Sequence, residues 1–374
     1  MSGAGSLLAA IVPERFEWLE ASRYSFSLGV EAAGVSWLAG HTSSAFDPAT
    51  GRVGVAGDGG AQAEVCWAKV GRVLEAAGRT PADVTELVEY VTVDGLAQLD
   101  RIRAARPAGL RADLGSVAVV ESLVRPTAVL EVEVVAGGPP DLVRLPQILP
   151  VDADGRVVAP GEFVGQCRWV LEEAGRRLAD HGLGLEHVVR TVQHSTPATR
   201  ADYGATAADR RRLLGPLFPA STGVLTPALP HPGALVALDV WATRSPKRAV
   251  VHRPEAYAPL TFGPAVAAGG LLFISGTTAW DPETGGTVGG DDIAAQAAFV
   301  YGEIAAVCAA AGTSIDRLVK TIEYVTPAGV ARYREVGAVR EQILGRPLPA
   351  STGVVVSALL GRQWQIEIEA VAVL

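Results

Sequence analysis

The sequence predicts an α+β fold in which three tandem copies of one unit pack together as an intramolecular pseudo-trimer. Three observations support this prediction. The chain has 374 residues, of which 49% are apolar and 19% charged, so it can fill the cores of two or three domains. The same motifs return along the chain at constant offsets. Within each copy, helical periodicity alternates with short apolar strands.

The second and third copies are related by an offset of 130 residues. The segment 349–354 reads Pro-Ala-Ser-Thr-Gly-Val, and the segment 219–224 repeats it letter for letter. Gln296 and Gln166 open the matching helical segments, and Gln62 opens a third one 104 residues further upstream. Breaker-rich or charged segments mark the two junctions between copies. We therefore divide the chain into an N-terminal segment (1–21), a first copy (22–139), a degenerate second copy (140–250) and a third copy (251–374).

The third copy shows the order of elements most clearly. Val300, Ile304 and Cys308 are spaced four apart, as on the buried side of a helix, and Gly312 is a typical helix stop. Glycines bound the first apolar strand, and Asp-Pro-Glu-Thr-Gly has the composition of a turn. The predicted order is a strand at 269–276, a turn at 281–285, a helix at 296–312, a strand at 318–325, a second helix at 330–344 and closing strands at 353–358 and 365–373.

A sheet with its helices on one face leaves the opposite face apolar and in need of a partner. Three copies in one chain can cover one another, which gives the pseudo-threefold body. An arrangement of separate units along the chain is the alternative.

Composition excludes several classes of protein. A net charge of −8 and a pI near 5.4 argue against a nucleic-acid binder. Three cysteines do not form a disulfide framework, so we expect a reduced, cytoplasmic protein. The sequence contains no metal-binding motif, secretory signal or long uninterrupted apolar run, so we expect no metal, no cofactor and no membrane. The expected partner is a small molecule, bound by a monomer or a weak homodimer.

The third copy contains Phe-Gly-Pro at 262–264, Phe-Ile-Ser-Gly at 273–276, Asp-Pro-Glu-Thr-Gly at 281–285 and the closing strand at 366–372. In this order, the motifs resemble those of the RidA/YjgF family of small trimeric proteins. The family fold is chorismate-mutase-like, with a central β-barrel, outer helices and ligand clefts at the subunit boundaries. The resemblance implies that one polypeptide builds this arrangement here, with three chemically different clefts.

The resemblance also implies a reaction. Active members of the family hydrolyse imines or enamines derived from amino acids to a keto acid and ammonia. In these members an arginine that follows Pro-Ala binds the substrate carboxylate. That position is Ser351 in the third copy and Ser221 in the second. Arg340 and Arg210, eleven residues earlier on the second helix, are the compensating cations to consider. A solvated helix face is the other explanation for them.

Glu367 occupies the position of the family glutamate that orients water. Its counterparts are Glu131 and Ala237. Glu367 alternates with apolar residues along its strand, and a carboxyl group in a partly buried cleft can act as a general acid or base. The same alternation is typical of the polar face of a half-buried strand.

The remaining candidates surround this glutamate. The loop with Ser351, Thr352 and Gly353, and its copy with Ser221 and Thr222, offers hydroxyls and open backbone N–H groups for an oxyanion, or else caps a turn. We also expect ligand contacts from Ser275 and Trp280 and a proton donor at His41. One principal cleft near Glu367 and Ser351 is predicted.

Three functions remain open. The first is a RidA-like enzyme that acts on a small carbonyl, imine, enamine or enol-type metabolite, with water oriented by Glu367 or with acid/base chemistry in an inter-domain cleft. Secondary metabolism is a candidate setting for it. The second is a chorismatase-like hydrolase or lyase, since chorismatases resemble tandem YjgF-like units. The third is a non-catalytic pseudo-trimer that binds small molecules, which the loss of the family arginine favours.

Overall fold

The computed structural model describes residues 8–55, 57–139 and 141–374. Residues 1–7 of the predicted N-terminal segment, together with Ala56 and with Pro140 at the first junction, lie outside the described residues. Three sheets dominate the described part of the chain, and a long helix packs on one face of each sheet. The α+β class predicted from the sequence is confirmed.

The first sheet has the strand order β1-β2-β3-β10-β7-β8, with β4 on the free part of β10. β7 and β8 run parallel, whereas β10 is antiparallel to β7. The elements of this region are β1 (Ala9–Ala10), β2 (Gly29–Ala32), β3 (Val35–Leu38), β4 (His41–Thr42), β5 (Ala45–Asp47), β6 (Arg52–Gly54), α1 (Gly59–Ala76), β7 (Val84–Val91), α2 (Val93–Leu96), α3 (Leu99–Ala104), β8 (Ser116–Val119), β9 (Ser122–Leu123) and β10 (Leu130–Gly137).

The second sheet has the order β11-β14-β12-β13-β20, and its central strands repeat the same parallel and antiparallel pairing. A 3₁₀ segment, Pro197–Thr206, precedes its second helix. The elements are β11 (Leu142–Ile148), α4 (Phe163–Ala179), β12 (Val188–Ser195), α5 (Ala207–Leu214), β13 (Ala220–Leu225) and β14 (Val236–Thr243).

The third sheet has the order β15-β16-β17-β21-β18-β19-β9. Here too the strand after the long helix runs parallel to its neighbour and antiparallel to the last strand. The elements are β15 (Arg248–Ala249), α6 (Pro254–Tyr257), β16 (Ala265–Ala268), β17 (Leu271–Thr278), α7 (Ile293–Ala311), β18 (Leu318–Val325), α8 (Pro327–Val330), α9 (Arg334–Ile343), β19 (Ala350–Val355), β20 (Ala358–Leu359) and β21 (Ile366–Val373).

The segment predicted as a Pro-Ala-Ser-Thr-Gly-Val loop is instead the start of a strand. β19 begins at Ala350, and β13 begins at Ala220, because each pairs in parallel with the strand that follows the long helix. Pairing on one side uses alternate backbone N–H groups, and the N–H groups of Ser221 and Gly223 donate to Ser275 Oγ and to Glu367 instead of being open for an oxyanion. β16 was not predicted, since its four alanine and valine residues show no alternation.

The repeated glutamines tie each long helix to its sheet. The side-chain amide of Gln296 donates to the carbonyls of Gly290 and Gln363 and accepts the N–H of Gln365 at 2.8 Å. Gln62 and Gln166 make the corresponding bonds in the first and second sheets. A buried amide with all of these partners fixes the helix against the final strand, which explains why this position recurs.

The faces without helices meet in a common core. Trp37, Trp241 and Phe273 come one from each sheet, with ring centroids 6.1 and 5.9 Å apart in the two contacting pairs. β9 also joins the third sheet and β20 joins the second, so short strands cross between copies. Strand pairing among the described residues does not close a ring, and the expected central barrel is not confirmed.

Charged groups lie between the sheets at this core. Lys320 pairs with Glu133 of the first sheet at 2.9 Å, and Arg190 of the second sheet pairs with Glu369 of the third. All four side chains are nearly buried. Buried pairs of this kind favour one order of neighbours, because a wrong partner would leave a buried charge unpaired.

One helix in the described part of the chain, α7, is long and apolar enough to cross a membrane by length and composition alone. Its residues Val300, Ile304 and Cys308 pack in the core of the third sheet, as the four-residue spacing predicted. Core helices of soluble proteins pass the same test, so this is weak evidence for a membrane span.

Candidate functional site

A cleft with a volume of about 530 Å³ lies between the second and third sheets. Glu367 on β21 forms one wall, and we call this space the Glu367 cleft. Ser221 and Gly223 on β13 form the facing wall, with Tyr203 and Arg210 behind them. The cleft is thus completed by the second copy, a point that the sequence left open.

The carboxyl group of Glu367 is nearly buried and closely surrounded by backbone atoms. The side chain is 5% exposed, and it accepts a hydrogen bond from the backbone N–H of Gly223. A Cβ at Gly276 would lie 2.0 Å from its Oε1, so only glycine leaves room for the carboxyl group there. Burial, followed by the charge of Glu369, raises its pKa to about 8. At neutral pH Glu367 is therefore mostly uncharged and can donate a proton.

Arg210 supplies a buried cation to the same cleft. It lies on α5, is 4% exposed, and donates from Nη2 to Ser221 Oγ at 2.7 Å and from Nη1 to Gln193 Oε1 at 3.2 Å. No carboxylate of the described residues lies within 4.0 Å of its guanidinium. A buried guanidinium without a counter-charge is costly, and a bound carboxylate would relieve that cost.

The outer part of the Glu367 cleft is aromatic. Tyr257, Phe262, Trp280 and Trp364 line it, and the rings of Tyr257 and Phe262 meet edge to face at 5.8 Å. The expected position of Trp280 in the cleft wall agrees with this arrangement. Such a wall fits an apolar or aromatic group on the ligand.

A second cleft of about 460 Å³ lies between the first and third sheets, and we call it the Glu131 cleft. Its facing residues, Ser351, Gly353, Tyr333 and Arg340, correspond to those of the Glu367 cleft at the 130-residue offset. The geometry is alike. The electrostatics of the facing walls differ because of one residue.

That residue is Glu323, which replaces Gln193. Its Oε1 accepts from Arg340 Nη1 at 2.9 Å, and its Oε2 accepts the hydroxyl of Tyr333 at 2.5 Å. The charge of the arginine is thereby neutralised inside the protein, and the hydroxyl of the tyrosine has its acceptor. In the Glu367 cleft the amide of Gln193 leaves Arg210 charged and leaves Tyr203 without this acceptor.

The other groups of the Glu131 cleft also differ. Burial, followed by the charge of Glu133, raises the pKa of Glu131 to about 8. Lys69 on α1 is buried, donates to the carbonyls of Thr42 and Ser44, and has a pKa lowered by burial to about 8. Lys69 was not predicted as a site residue. The repeat gave a signal, because Lys69 aligns with Glu303, which lines the Glu367 cleft.

Known proteins share sequence similarity with part of this chain. The family described as Endoribonuclease L-PSP matches residues 251–374. A RutC family protein of Pyrococcus horikoshii is 39% identical over 119 residues, which is 31% of this chain and 90% of the relative. The chain belongs to the RidA/YjgF family. The DfrA protein of Myxococcus xanthus is 38% identical over 121 residues, or 32% of this chain and 88% of that protein.

Among solved structures, a YjgF-family protein of Mycobacterium tuberculosis is 32% identical and covers 34% of this chain and all of its own, with a TM-score of 0.30. A chorismatase structure is 15% identical, covers 78% of this chain and 93% of its own, and has a TM-score of 0.54. The single-unit RidA/YjgF relatives thus match one third of the chain. The chorismatase shares the fold over most of it.

The prediction of one principal cleft that contains both Glu367 and Ser351 is wrong. Glu367 faces Ser221 of the second copy, whereas Ser351 faces Glu131 of the first. Each strand presents its glutamate to the neighbouring copy rather than to its own. The sequence could not show this, because it does not fix which copies are neighbours.

Three other expected ligand residues do not line either cleft. Successive side chains of a strand point to opposite faces, so Thr222 turns away and donates to Glu369 at 2.6 Å, and Thr352 accepts from Lys320 at 2.8 Å. Ser275 donates to the carbonyl of Gly263 at 2.6 Å and accepts the N–H of Ser221 at 3.0 Å. Its hydroxyl joins two sheets instead of meeting a ligand.

His41 lines the Glu131 cleft, but the expectation that it donates a proton near neutral pH is wrong. Burial, followed by the charges of Lys69 and Lys320, lowers its pKa to about 3. The solvated helix face considered for Arg210 and Arg340 is also wrong, since both guanidinium groups are buried and reach the serines. No cluster of three metal-binding side chains occurs within the described ranges.

Proposed function

We propose that the chain is a RidA-like hydrolase that converts a carboxylate-bearing imine or enamine with an apolar or aromatic side chain to a keto acid and ammonia. The reaction takes place in the Glu367 cleft. One observation carries the proposal: an uncharged, buried Glu367 shares a cleft with the buried and uncompensated guanidinium of Arg210.

The substrate carboxylate binds at the inner end of the cleft. Arg210 supplies the positive charge that the family arginine provides elsewhere, and the hydroxyls of Ser221 and Tyr203 add hydrogen bonds. The side chain of the substrate lies against Trp280 and the neighbouring rings. This places the imine carbon near Glu367, between the two walls.

The chemistry needs only water and one proton carrier. Glu367 donates its proton to the imine nitrogen while water attacks the imine carbon, which forms a C–O bond and breaks the C=N π bond. The carboxylate then takes a proton from the attacking water. In the collapse of the carbinolamine, Glu367 returns its proton to nitrogen, the C–N bond breaks to release ammonia, and the carboxylate takes the hydroxyl proton as the C=O bond of the keto acid forms, so atoms and charge balance.

The architecture belongs to the same proposal. We place the three copies around a pseudo-threefold axis, each covering the open sheet face of the others, in a cytoplasmic monomer with the copy boundaries predicted above. The shared aromatic core and the exchanged strands β9 and β20 support this arrangement. The inter-copy clefts then differ chemically, as the two described above do.

The test is a coupled assay in which an amino-acid oxidase generates the imine of phenylalanine or leucine and the release of keto acid is followed. The wild type should accelerate hydrolysis, and Glu367→Gln should lower kcat about 10²- to 10⁴-fold. Activity should fall as pH rises through about 8, where Glu367 loses its proton. Glu131→Gln is the matched control and should retain activity.

The protonated carboxyl group also favours a second candidate, a chorismatase-like reaction, in which Glu367 protonates the vinyl carbon of an enol ether before water adds. Pyruvate release from chorismate, with no imine hydrolysis, would support it. Binding of keto acids without turnover of either substrate would leave the non-catalytic binder. We do not propose a ribonuclease, because the chain carries a net charge of −8.

A further inference from the structure

The Glu131 cleft holds cations that no protein carboxylate neutralises. Lys69 is 1% exposed, and Arg125 is half-buried at the end of the third-sheet extension β9. No carboxylate of the described residues lies within 4.0 Å of either head group, and Arg125 has one hydrogen bond, to Tyr24 Oη at 3.2 Å. The two cations interact, since Arg125 contributes to the lowered pKa of Lys69.

The same wall presents polar atoms without partners. His41 Nε2 is buried and makes no hydrogen bond, although the ring lines the cleft. Glu131 feels the charges of both Lys69 and Arg125. Burial raises the pKa of Glu131, and the two positive charges lower it. No ion pair within 4.0 Å joins Glu131 to either head group among the described residues, so Glu131 leaves both cations available to a ligand.

The facing wall cannot bind a ligand carboxylate in the way proposed for the Glu367 cleft. Arg340 and Tyr333 already donate hydrogen bonds to Glu323. A ligand anion is therefore drawn to the Lys69 side, where two positive charges face one space of about 460 Å³. Two adjacent cations match a ligand with two negative charges better than one with a single charge.

We propose that the Glu131 cleft is a second ligand site, specific for a small dicarboxylate that Lys69 and Arg125 hold together. It is independent of the reaction proposed for the Glu367 cleft, in which Arg210 takes a monocarboxylate and the other lining cation, Arg253, is already paired with Glu303. The chain thus carries two unlike sites on one scaffold. The copy-specific residues Lys69 and Glu323 account for the difference.

The test is calorimetric titration of the full chain with succinate and 2-oxoglutarate. The wild type should bind one equivalent, with an affinity that falls as salt rises. Arg125→Met should weaken binding at least tenfold, and Lys69→Met should do the same if its thermal unfolding stays cooperative. Arg210→Met, in the other cleft, should leave the dicarboxylate affinity unchanged.

Three results would overturn the proposal: no binding by the wild type at millimolar concentration, an unchanged affinity in Arg125→Met, or tighter binding of inorganic phosphate than of succinate. Arg125 donates to no carboxylate and so supports no ion pair of the fold, which makes it the safer variant. Loss of imine hydrolysis in the Glu367→Gln variant would not affect this titration, so the two proposals fail separately.

Discussion

Replacing Gln193 by glutamate should convert the Glu367 cleft to the electrostatics of its neighbour. In the Glu131 cleft the equivalent Glu323 holds Arg340 at 2.9 Å and takes the hydroxyl of Tyr333. A glutamate at position 193 has the same partners within reach, because Arg210 already donates to Gln193 Oε1 at 3.2 Å. The new carboxylate would then compete with the ligand for Arg210.

The size of the effect follows from the bonds that are exchanged. A hydrogen bond to a charged group contributes about 1.5–3 kcal/mol, and about 1.4 kcal/mol corresponds to a factor of ten in affinity. If the ligand carboxylate loses one such bond to Arg210, its binding should weaken about 10- to 150-fold. The fold should tolerate the change, since the added charge gains a buried partner.

The assay is titration with phenylpyruvate, a product analogue with one carboxylate and an aromatic ring. Gln193→Glu should raise its Kd by the stated factor. Glu323→Gln, the reverse change in the other cleft, is the control and should leave that Kd unchanged. An affinity within twofold of the wild type in well-folded Gln193→Glu would refute the assignment of Arg210 as the carboxylate anchor.

The remaining predictions concern stability and glycine geometry. Since burial raises the pKa of Glu367 from 4.5 to about 8, its contribution to stability is fully present below pH 4.5 and is lost as pH rises through about 8. Between pH 6 and 9, where about two pH units lie below the raised pKa, the free energy of unfolding of Glu367→Gln in urea should therefore fall by about 3 kcal/mol less than that of the wild type. Arg190→Met leaves a buried carboxylate unpaired and should cost about 3–5 kcal/mol, whereas the exposed Arg332→Met should change stability far less; equal losses would contradict the buried pairing. Gly276→Ala places a methyl group 2.0 Å from the Glu367 carboxyl group and should lower kcat at least tenfold, while Gly263→Ala meets nothing within 4 Å and should be silent in the same assay.

Much of the fold could be read from the chain because it rests on local pattern. The repeat offset, the four-residue spacing in α7 and the apolar run of β18 predicted those elements within a few residues. The start of β19 was missed because Ser351 and Gly353 have turn composition, and only pairing with β18 makes them a strand. Tertiary hydrogen bonding overrides local preference at such positions.

The candidate site was predicted less completely. Glu367, Arg210 and Trp280 do line one cleft, but their partner is Ser221 rather than Ser351. Lys69 was overlooked, since a lysine on a helix is usually solvated and nothing local shows that it is buried.

By itself, the sequence determined the α+β class and the repeated motifs, and it predicted that three related units follow one another. It did so because duplication leaves a constant offset, and because helix and strand periods are local properties of the chain. Only the tertiary structure decided which units are neighbours. The clefts, the ionisation of Glu367 and Glu131 and the unpaired charge of Arg210 follow from that choice, because burial and charge pairing depend on residues distant in sequence.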